Sequence, residues 1–178
     1  LAIGNNAGKN TTGSDNVFIG HECGTTNTSG NANTAIGHRT FFYNTSGGSN
    51  TAVGLGALKA NTTASNNVAV GNNALLVNTT GAENTALGAN ALDANTTGHS
   101  NVAVGKDALG ANTTANANTA VGHEALEANT TGANNVAIGN DALKLNTTGA
   151  ENTAVGAEAL DANTTASNNT AVGYAALT

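Results

Sequence analysis

The stretch "NTAVGLGALKANTTASN", Asn50–Asn66, decides the fold because the chain repeats it. The next two stretches read "NVAVGNNALLVNTTGAE" and "NTALGANALDANTTGHS", beginning at Asn67 and Asn84. One glycine follows an aliphatic residue in every copy, from Gly4 to Gly173; the first spacing is 16 residues and every later one is 17. The chain is therefore an array of eleven copies, a pattern typical of solenoids.

The composition agrees with stacked repeats better than with an ordinary globular core. The 178 residues include 23 Gly, no Pro, Met or Trp, and only 9% charged residues. A single-core domain has more large apolar residues, whereas a disordered chain has more charge and no positional rule. We expect one domain over residues 1–178, as a segment of a longer protein. Residues 1–49 hold irregular copies and residues 50–178 regular ones.

Each copy can be numbered in slots from the Asn of "NTAVG". Slot 2 is Val or Thr except at Leu1, slot 3 is Ala except at Phe18, slot 4 is aliphatic and slot 5 is Gly. Slot 8 is mostly Ala, slot 9 mostly Leu, and slots 12–14 read Asn-Thr-Thr or Asn-Thr-Ser. "TAVG" predicts a short strand ended by a glycine turn. "xxALxx" indicates a helical turn or a bend, and "NTT" a second short strand or a turn. The predicted class is an all-β, repetitive β-solenoid (a parallel β-roll) of 17-residue coils.

The two faces of the predicted strand carry different side chains, because successive residues of a strand point to opposite sides. We predict that the branched residues of slot 4 and the leucines of slot 9 form the core. The alanines of slot 3 would then face identical chains around an axis, as in a homotrimer; the alternative is that they face solvent. The predicted core residues are Ile36, Val53, Val70, Leu87, Val104, Val121, Ile138, Val155, Leu58, Leu75, Leu92, Leu109, Leu126, Leu143 and Leu160.

The phrases "NVFIG", "NTAIG" and "NTAVG" resemble the head repeats of trimeric autotransporter adhesins of the YadA type. The longer phrases "NVFIGHECGTTNTSGN" and "NTAVGxxALxxNTTGxxN" are similar to repeats of bacteriophage tail fibres and related bacterial surface proteins. The resemblance covers all copies. It implies a homotrimer that is extracellular, on a cell surface or virion, and serves as a structural fibre or adhesin segment. Its implied partners are itself and a cell-surface receptor or carbohydrate. The adhesin repeat is shorter, so the coil shape is not implied.

Charge and motifs exclude several classes of function. The net charge is −6 and the five basic residues are scattered, which disfavours a nucleic-acid groove. The sequence contains no run of about 18 apolar residues, so it predicts no insertion into a membrane. The glycines recur singly, without a GxGxxG or P-loop phrase. We expect no enzyme, no catalytic residue and no cofactor.

Three residues in copies 2 and 3 raise a metal site as an alternative. His21 and His38 occupy slot 6 of adjacent copies, so stacking predicts a separation of about 5 Å. Together with Glu22 they offer ligands for a metal ion. Because slot 6 varies from copy to copy, we interpret them as a solvated turn and predict no metal. Cys23 fills slot 8 and is interpreted as a small buried hydrophobe, rather than as a catalytic thiol paired with His21.

Every Asn-Thr-Thr or Asn-Thr-Ser is also an N-glycosylation sequon. The interpretation favoured here is a structural ladder of asparagines, and the alternative is a glycan-coated extracellular filament. Another alternative is an ice- or surface-binding solenoid. Against it, the adjacent threonines of "NTT" point to opposite faces and the slot 2 threonines are expected inside the coil. The sequons begin at Asn10, Asn27, Asn44, Asn61, Asn78, Asn95, Asn112, Asn129, Asn146 and Asn163.

Overall fold

The computed structural model describes all residues, 1–178. It contains eleven short β-strands and no helix. The strands are β1 Ala2–Ile3, β2 Val17–Ile19, β3 Thr34–Ile36, β4 Thr51–Val53, β5 Val68–Val70, β6 Thr85–Leu87, β7 Val102–Val104, β8 Thr119–Val121, β9 Val136–Ile138, β10 Thr153–Val155 and β11 Thr170–Val172.

These strands form one parallel sheet in which each strand pairs with the strands before and after it in sequence. The pairing joins equivalent slots of adjacent copies, as in Ala103 with Ala120. The deletion in copy 1 leaves this pairing unchanged, since Ala2 pairs with Phe18. Each repeat is therefore one turn of a coil that stacks on the next. The prediction of an all-β parallel solenoid is confirmed.

The segments between strands are stacked as regularly as the strands. Of 117 backbone hydrogen bonds, 98 have at least one partner outside the strands. Most of these join neighbouring coils, as when Leu92 N–H donates to the carbonyl of Ala108 at 3.1 Å. Slots 7, 9 and 17 adopt left-handed φ values, 58°, 53° and 57° at Asp107, Leu109 and Ala117. This alternation cannot continue as a right-handed helix, so "xxALxx" is a turn. "NTT" is also a turn and not a strand.

The strand faces are the reverse of the prediction. The slot 3 alanines are buried inside their own coil, for example Ala103 and Ala120 at 0% exposure. The slot 4 residues point outward, and Leu87 is 47% exposed. The expected contact between slot 3 and partner chains is therefore wrong, as is the interior placement of slot 4. The slot 4 residues concerned, half-buried or exposed, are Ile36, Val53, Val70, Leu87, Val104, Val121, Ile138 and Val155.

The leucines of slot 9 do lie in the interior, where they pack with the alanines of slots 3 and 8. The fully buried ones are Leu58, Leu75, Leu92, Leu109, Leu126 and Leu143, and Leu160 is 5% exposed. A coil of 17 residues encloses a narrow interior. With leucine on one side, only a small residue such as alanine fits on the strand side.

Copies 1 and 2 show that slots 3 and 9 share one space. There slot 9 holds Gly8 and Gly24, and slot 3 of copy 2 holds Phe18, which is 1% exposed. A Cβ added to Gly24 would meet the Phe18 ring at 2.6 Å, and one added to Gly8 would meet it at 2.9 Å. Phe18 therefore fills the volume that two leucines fill elsewhere. In copies 2 and 3 the strand register and the left-handed slots match those of later copies.

Two ladders of asparagine complete the interior and explain the low hydrophobicity of the chain. In slot 1, Asn118 N–H donates to Asn101 Oδ1 at 3.0 Å, and its Nδ2 donates to the carbonyl of Gly132 at 2.9 Å. In slot 12, Asn112 Nδ2 donates to Asn95 Oδ1 at 2.9 Å. Buried polar groups are tolerated when they are hydrogen-bonded. The asparagines thus satisfy the turn backbone where larger apolar residues could not.

The substitution Ala103→Leu is expected to destabilise the coil itself. Ala103 has no exposure, and overpacking a filled interior costs about 1–3 kcal/mol. Thermal unfolding followed by circular dichroism measures the loss. Val104→Leu is the matched control, because slot 4 points outward and already holds Leu87. Equal melting temperatures for the two variants would contradict the assignment of the strand faces.

Candidate functional surfaces

The outer sheet face, defined as the side chains of slots 2 and 4, is the most regular surface of the molecule. Neither slot holds a charged residue in any copy. Slot 2 alternates between threonine and valine over much of the chain, as in Thr85, Val102 and Thr119. Eleven parallel strands about 4.8 Å apart give this face a length of roughly 48 Å. It is an uncharged array with a fixed spacing.

The area of this face is comparable with that of the largest exposed patch on a typical monomer. Two side-chain columns about 10 Å wide over this length cover roughly 400–500 Å², the size of the largest apolar patch on a typical monomer. Its aliphatic members include Ile36 and Ile138, which are 38% and 41% exposed. Patches of this size often mark interaction sites.

The turn after each strand carries most of the charge, in slots 6, 7 and 10. Lys106 Nζ lies 2.5 Å from Asp107 Oδ2, and Lys144 Nζ contacts Glu124. The hydrogen bond with Lys106 lowers the pKa of Asp107. The hydrogen bond with Glu124 raises the pKa of Lys144 to about 12. Such surface pairs contribute little to stability, so this row mainly presents solvated charge.

Two groups of metal-ligating side chains lie along this row. The rings of His21 and His38 stack with centroids 5.2 Å apart, close to the spacing predicted from the repeat. Their ligand atoms and those of Glu22 all lie within 4.8 Å of one another. Sequence reasoning missed the second group, Asp107, His123 and Glu124. The repeat register could have predicted this second group, because slots 6 and 7 of adjacent copies are neighbours in the stack.

Cys23 lies in the interior and does not form a nucleophilic site. Its thiol is 0% exposed and donates to the carbonyl of Ala35 at 3.1 Å. Burial raises the pKa of the Cys23 thiol to about 11. Because the thiolate is the reactive form, this side chain acts as a small core residue.

The asparagines of the sequons are mostly inaccessible, which is incompatible with a glycan coat on the folded coil. A sugar would be attached to Nδ2, but this atom donates to the neighbouring asparagine and to a turn carbonyl, as in Asn112 to Asn95 and Ala115. Asn163 makes the same two bonds and is half-buried, and Asn10 is exposed. The fully buried members are Asn27, Asn44, Asn61, Asn78, Asn95, Asn112, Asn129 and Asn146.

No protein-family model, no curated protein and no solved structure matches the chain. No helix in the structure has the length and apolar character needed to cross a bilayer.

Proposed function

We propose that this chain is a structural segment of an extracellular fibre or adhesin and that it assembles as a homotrimer through the outer sheet face. The observation that carries the proposal is the unbroken, uncharged column of slots 2 and 4 on an eleven-stranded sheet. The aliphatic side chains of this face are unfavourable in water, and covering its apolar part recovers about 25 cal/mol per Å². Assembly supplies that cover.

A second copy of the chain fits this face better than an irregular partner. Both surfaces repeat at the same strand spacing, so a contact formed in one coil can be formed again in every coil. The chain carries a net charge of −6, and identical chains repel each other where charge is dense. The outer sheet face carries none of that charge. It is therefore the surface along which identical chains can approach closely.

The rest of the proposal follows the resemblance to adhesin and tail-fibre repeats. The fibre lies on a cell surface or virion, and it holds or contributes to a site for a receptor or carbohydrate. The stacked geometry suits a rod, since each coil depends on its neighbours and length grows by adding copies. The charged turns, such as those around Lys106 and Glu124, keep the rod soluble.

Particle mass tests the assembly directly. One chain has a mass of 17.2 kDa, and light scattering coupled to size exclusion should give three times this value. Val104→Asp is expected to shift the particle to the mass of one chain, because burying an unpaired carboxylate in an interface costs several kcal/mol. The monomeric variant should keep the circular dichroism spectrum of the parent, since Val104 points outward.

Thr97→Asp is the matched control for this experiment. Thr97 is exposed and lies in the "NTT" turn, away from the strands. The Thr97→Asp substitution adds the same charge as Val104→Asp but lies away from the outer sheet face, so the trimer should persist. A parent chain that is monomeric, or a Val104→Asp variant that stays trimeric, would overturn the proposed assembly.

One observation favours a second candidate, an ice- or surface-binding solenoid. The slot 2 threonines were expected inside the coil, but they lie on the outer sheet face, for example Thr85 and Thr119. Together with slot 4 they form a regular array that an ordered lattice can match. The threonines of slot 13 do not contribute, because their hydroxyls donate to the next coil, as in Thr96 to Thr113.

The two candidates use the same face and therefore exclude each other. A trimer that buries the face leaves no lattice-binding surface, so it should show no thermal hysteresis. A monomer with measurable thermal hysteresis, lost in Thr119→Asp, would support the second candidate and overturn the first. A monomer without hysteresis would count against both.

A further inference from the structure

We propose that His21, His38 and Glu22 form a binding site for one divalent transition-metal ion of the Zn²⁺ class, which joins coils 2 and 3. The ligand atoms of the three side chains lie within 4.8 Å of one another. The rings are stacked with an interplanar angle of 21°, and rotation of the two exposed side chains brings a nitrogen of each towards one point. This site is independent of the outer sheet face and of the proposed assembly.

The donor set matches the chemistry of such an ion. Two imidazoles and one carboxylate provide three ligands, and water completes a tetrahedron, as in many zinc sites. Ligand nitrogens on one zinc ion are separated by about 3.3 Å, from Zn–N distances of ~2.05 Å. Both histidines are exposed, so small rotations of their side chains can close the remaining distance without moving the backbone.

The backbone holds the three residues in fixed relation. His21 and His38 occupy the same slot of adjacent coils, and their coils are tied by the hydrogen bond from Arg39 N–H to the carbonyl of His21 at 3.0 Å. Glu22 N–H in turn donates to the carbonyl of Asn5 at 2.9 Å. The backbone of the site is therefore fixed before an ion binds, which reduces the ordering cost of binding.

Arg39 competes with the metal ion for the carboxylate of Glu22. Its Nε lies 3.1 Å from Glu22 Oε2, yet this nitrogen makes no hydrogen bond. The guanidinium carbon lies 4.8 Å from the centroid of the Phe42 ring, which gives the cation a second partner. Glu22 is thus weakly held and can turn to a metal while Arg39 remains stacked on Phe42.

The second group of ligating residues provides a comparison within the same chain. There the carboxylates are already occupied by ammonium groups, since Lys106 bonds Asp107 and Lys144 bonds Glu124. The group also has one imidazole, His123, instead of two. A metal ion would have to displace two lysines there, so we expect the ion to bind at His21 and His38.

Isothermal titration of the 178-residue chain with Zn²⁺ tests the site. We expect one ion per chain, and we expect Zn²⁺ to raise the melting temperature because it binds only the folded coil. His21→Ala and His38→Ala should each weaken binding by at least about tenfold, since loss of even an outer-shell partner costs that much. His123→Ala should leave the affinity unchanged.

Two further measurements distinguish specific coordination of the metal from nonspecific electrostatic binding of cations. Arg39→Gln should bind Zn²⁺ several-fold more tightly, because it frees Glu22 and removes a nearby positive charge. Cu²⁺ used as a probe should show two coupled nitrogens by electron paramagnetic resonance in the parent and one in His38→Ala. No binding at millimolar Zn²⁺, or equal affinities in the parent and His38→Ala, would overturn the proposal. Circular dichroism of each variant checks that the coil is intact.

Discussion

Gly105→Ala is expected to unfold the coil around β7, with a loss of more than about 4 kcal/mol, which is exceptional for one methyl group. Gly105 has a φ of 139°, a region that residues with a side chain rarely adopt. A Cβ built there would lie 2.2 Å from the carbonyl oxygen of Gly122 in the next coil. The clash is with backbone, so no side chain can move aside to relieve it.

The hydrogen-bond ladder prevents the backbone from moving away. Gly105 N–H donates to the carbonyl of Leu87 at 2.8 Å, and Gly122 N–H donates to that of Val104 at 2.8 Å. Separating the Gly105 coil from the Gly122 coil by enough to fit a methyl group would lengthen the bond from Gly122 to Val104, while the bond from Gly105 to Leu87 ties the Gly105 coil to the coil before it. Slot 15 shows a similar approach, since a Cβ added to Gly98 would lie 2.4 Å from a carbonyl oxygen of the next coil, but the φ of Gly98 is not left-handed and slot 15 holds either glycine or alanine. The combination of the close approach with a positive φ therefore accounts for glycine in slot 5 of all eleven copies.

Thermal and denaturant unfolding followed by circular dichroism measure this loss. Gly110→Ala is the matched control, because slot 10 holds many residue types and the nearest atom to an added Cβ is 3.3 Å away. That variant should stay within about 0.5 kcal/mol of the parent. If the Gly105→Ala and Gly110→Ala variants have the same melting temperature, the inferred close approach of adjacent coils at slot 5 is wrong.

The period and the element type could be predicted from the sequence, because both follow from local chemistry. The spacing of the glycines sets the coil length, and β-branched residues before a glycine indicate a short strand. The interior position of leucines such as Leu92 followed from their regular recurrence. Parallel pairing then follows, since consecutive equivalent strands linked by one full turn must run in the same direction.

The strand faces could not be derived from the usual preference for burying branched residues. The interior of this coil is too narrow for valine opposite leucine, so alanine faces inward and valine outward. Copy 2 contained the clue, because Phe18 in slot 3 accompanies Gly24 in slot 9. A large residue in one slot with a small one in another indicates that the two slots share one space.

The histidine pair and the asparagine ladders could each be predicted only in part from the sequence. Stacking of equivalent slots predicted the proximity of His21 and His38. It did not reveal the weak hold of Arg39 on Glu22, which depends on the angle between their side chains. The ladder of slot 12 was anticipated as a structural interpretation of "NTT", while the ladder of slot 1 was not.

Asn118→Leu is expected to destabilise the coil by about 4–6 kcal/mol, although it adds apolar surface to a chain with few large apolar residues. Asn118 is 0% exposed, and its Oδ1 accepts from Asn135 N–H at 2.9 Å and Asn135 Nδ2 at 3.2 Å. Its Nδ2 donates to Gly132. Leucine removes all three bonds, each worth about 1 kcal/mol, and leaves the buried Asn135 N–H unpaired at a further cost of about 1–3 kcal/mol.

The matched control for Asn118→Leu is Asn140→Leu. Asn140 occupies slot 6, is exposed, and belongs to a slot that already holds Leu55. Unfolding in denaturant should show a small change for Asn140→Leu and a large one for Asn118→Leu. If hydrophobic burial were the main source of stability, Asn118→Leu would match or exceed the parent. That result would mean that the asparagine ladder only fills space. The expected loss of stability would instead show that the hydrogen bonds of the asparagine ladder stabilise the coil in addition to the buried alanines and leucines.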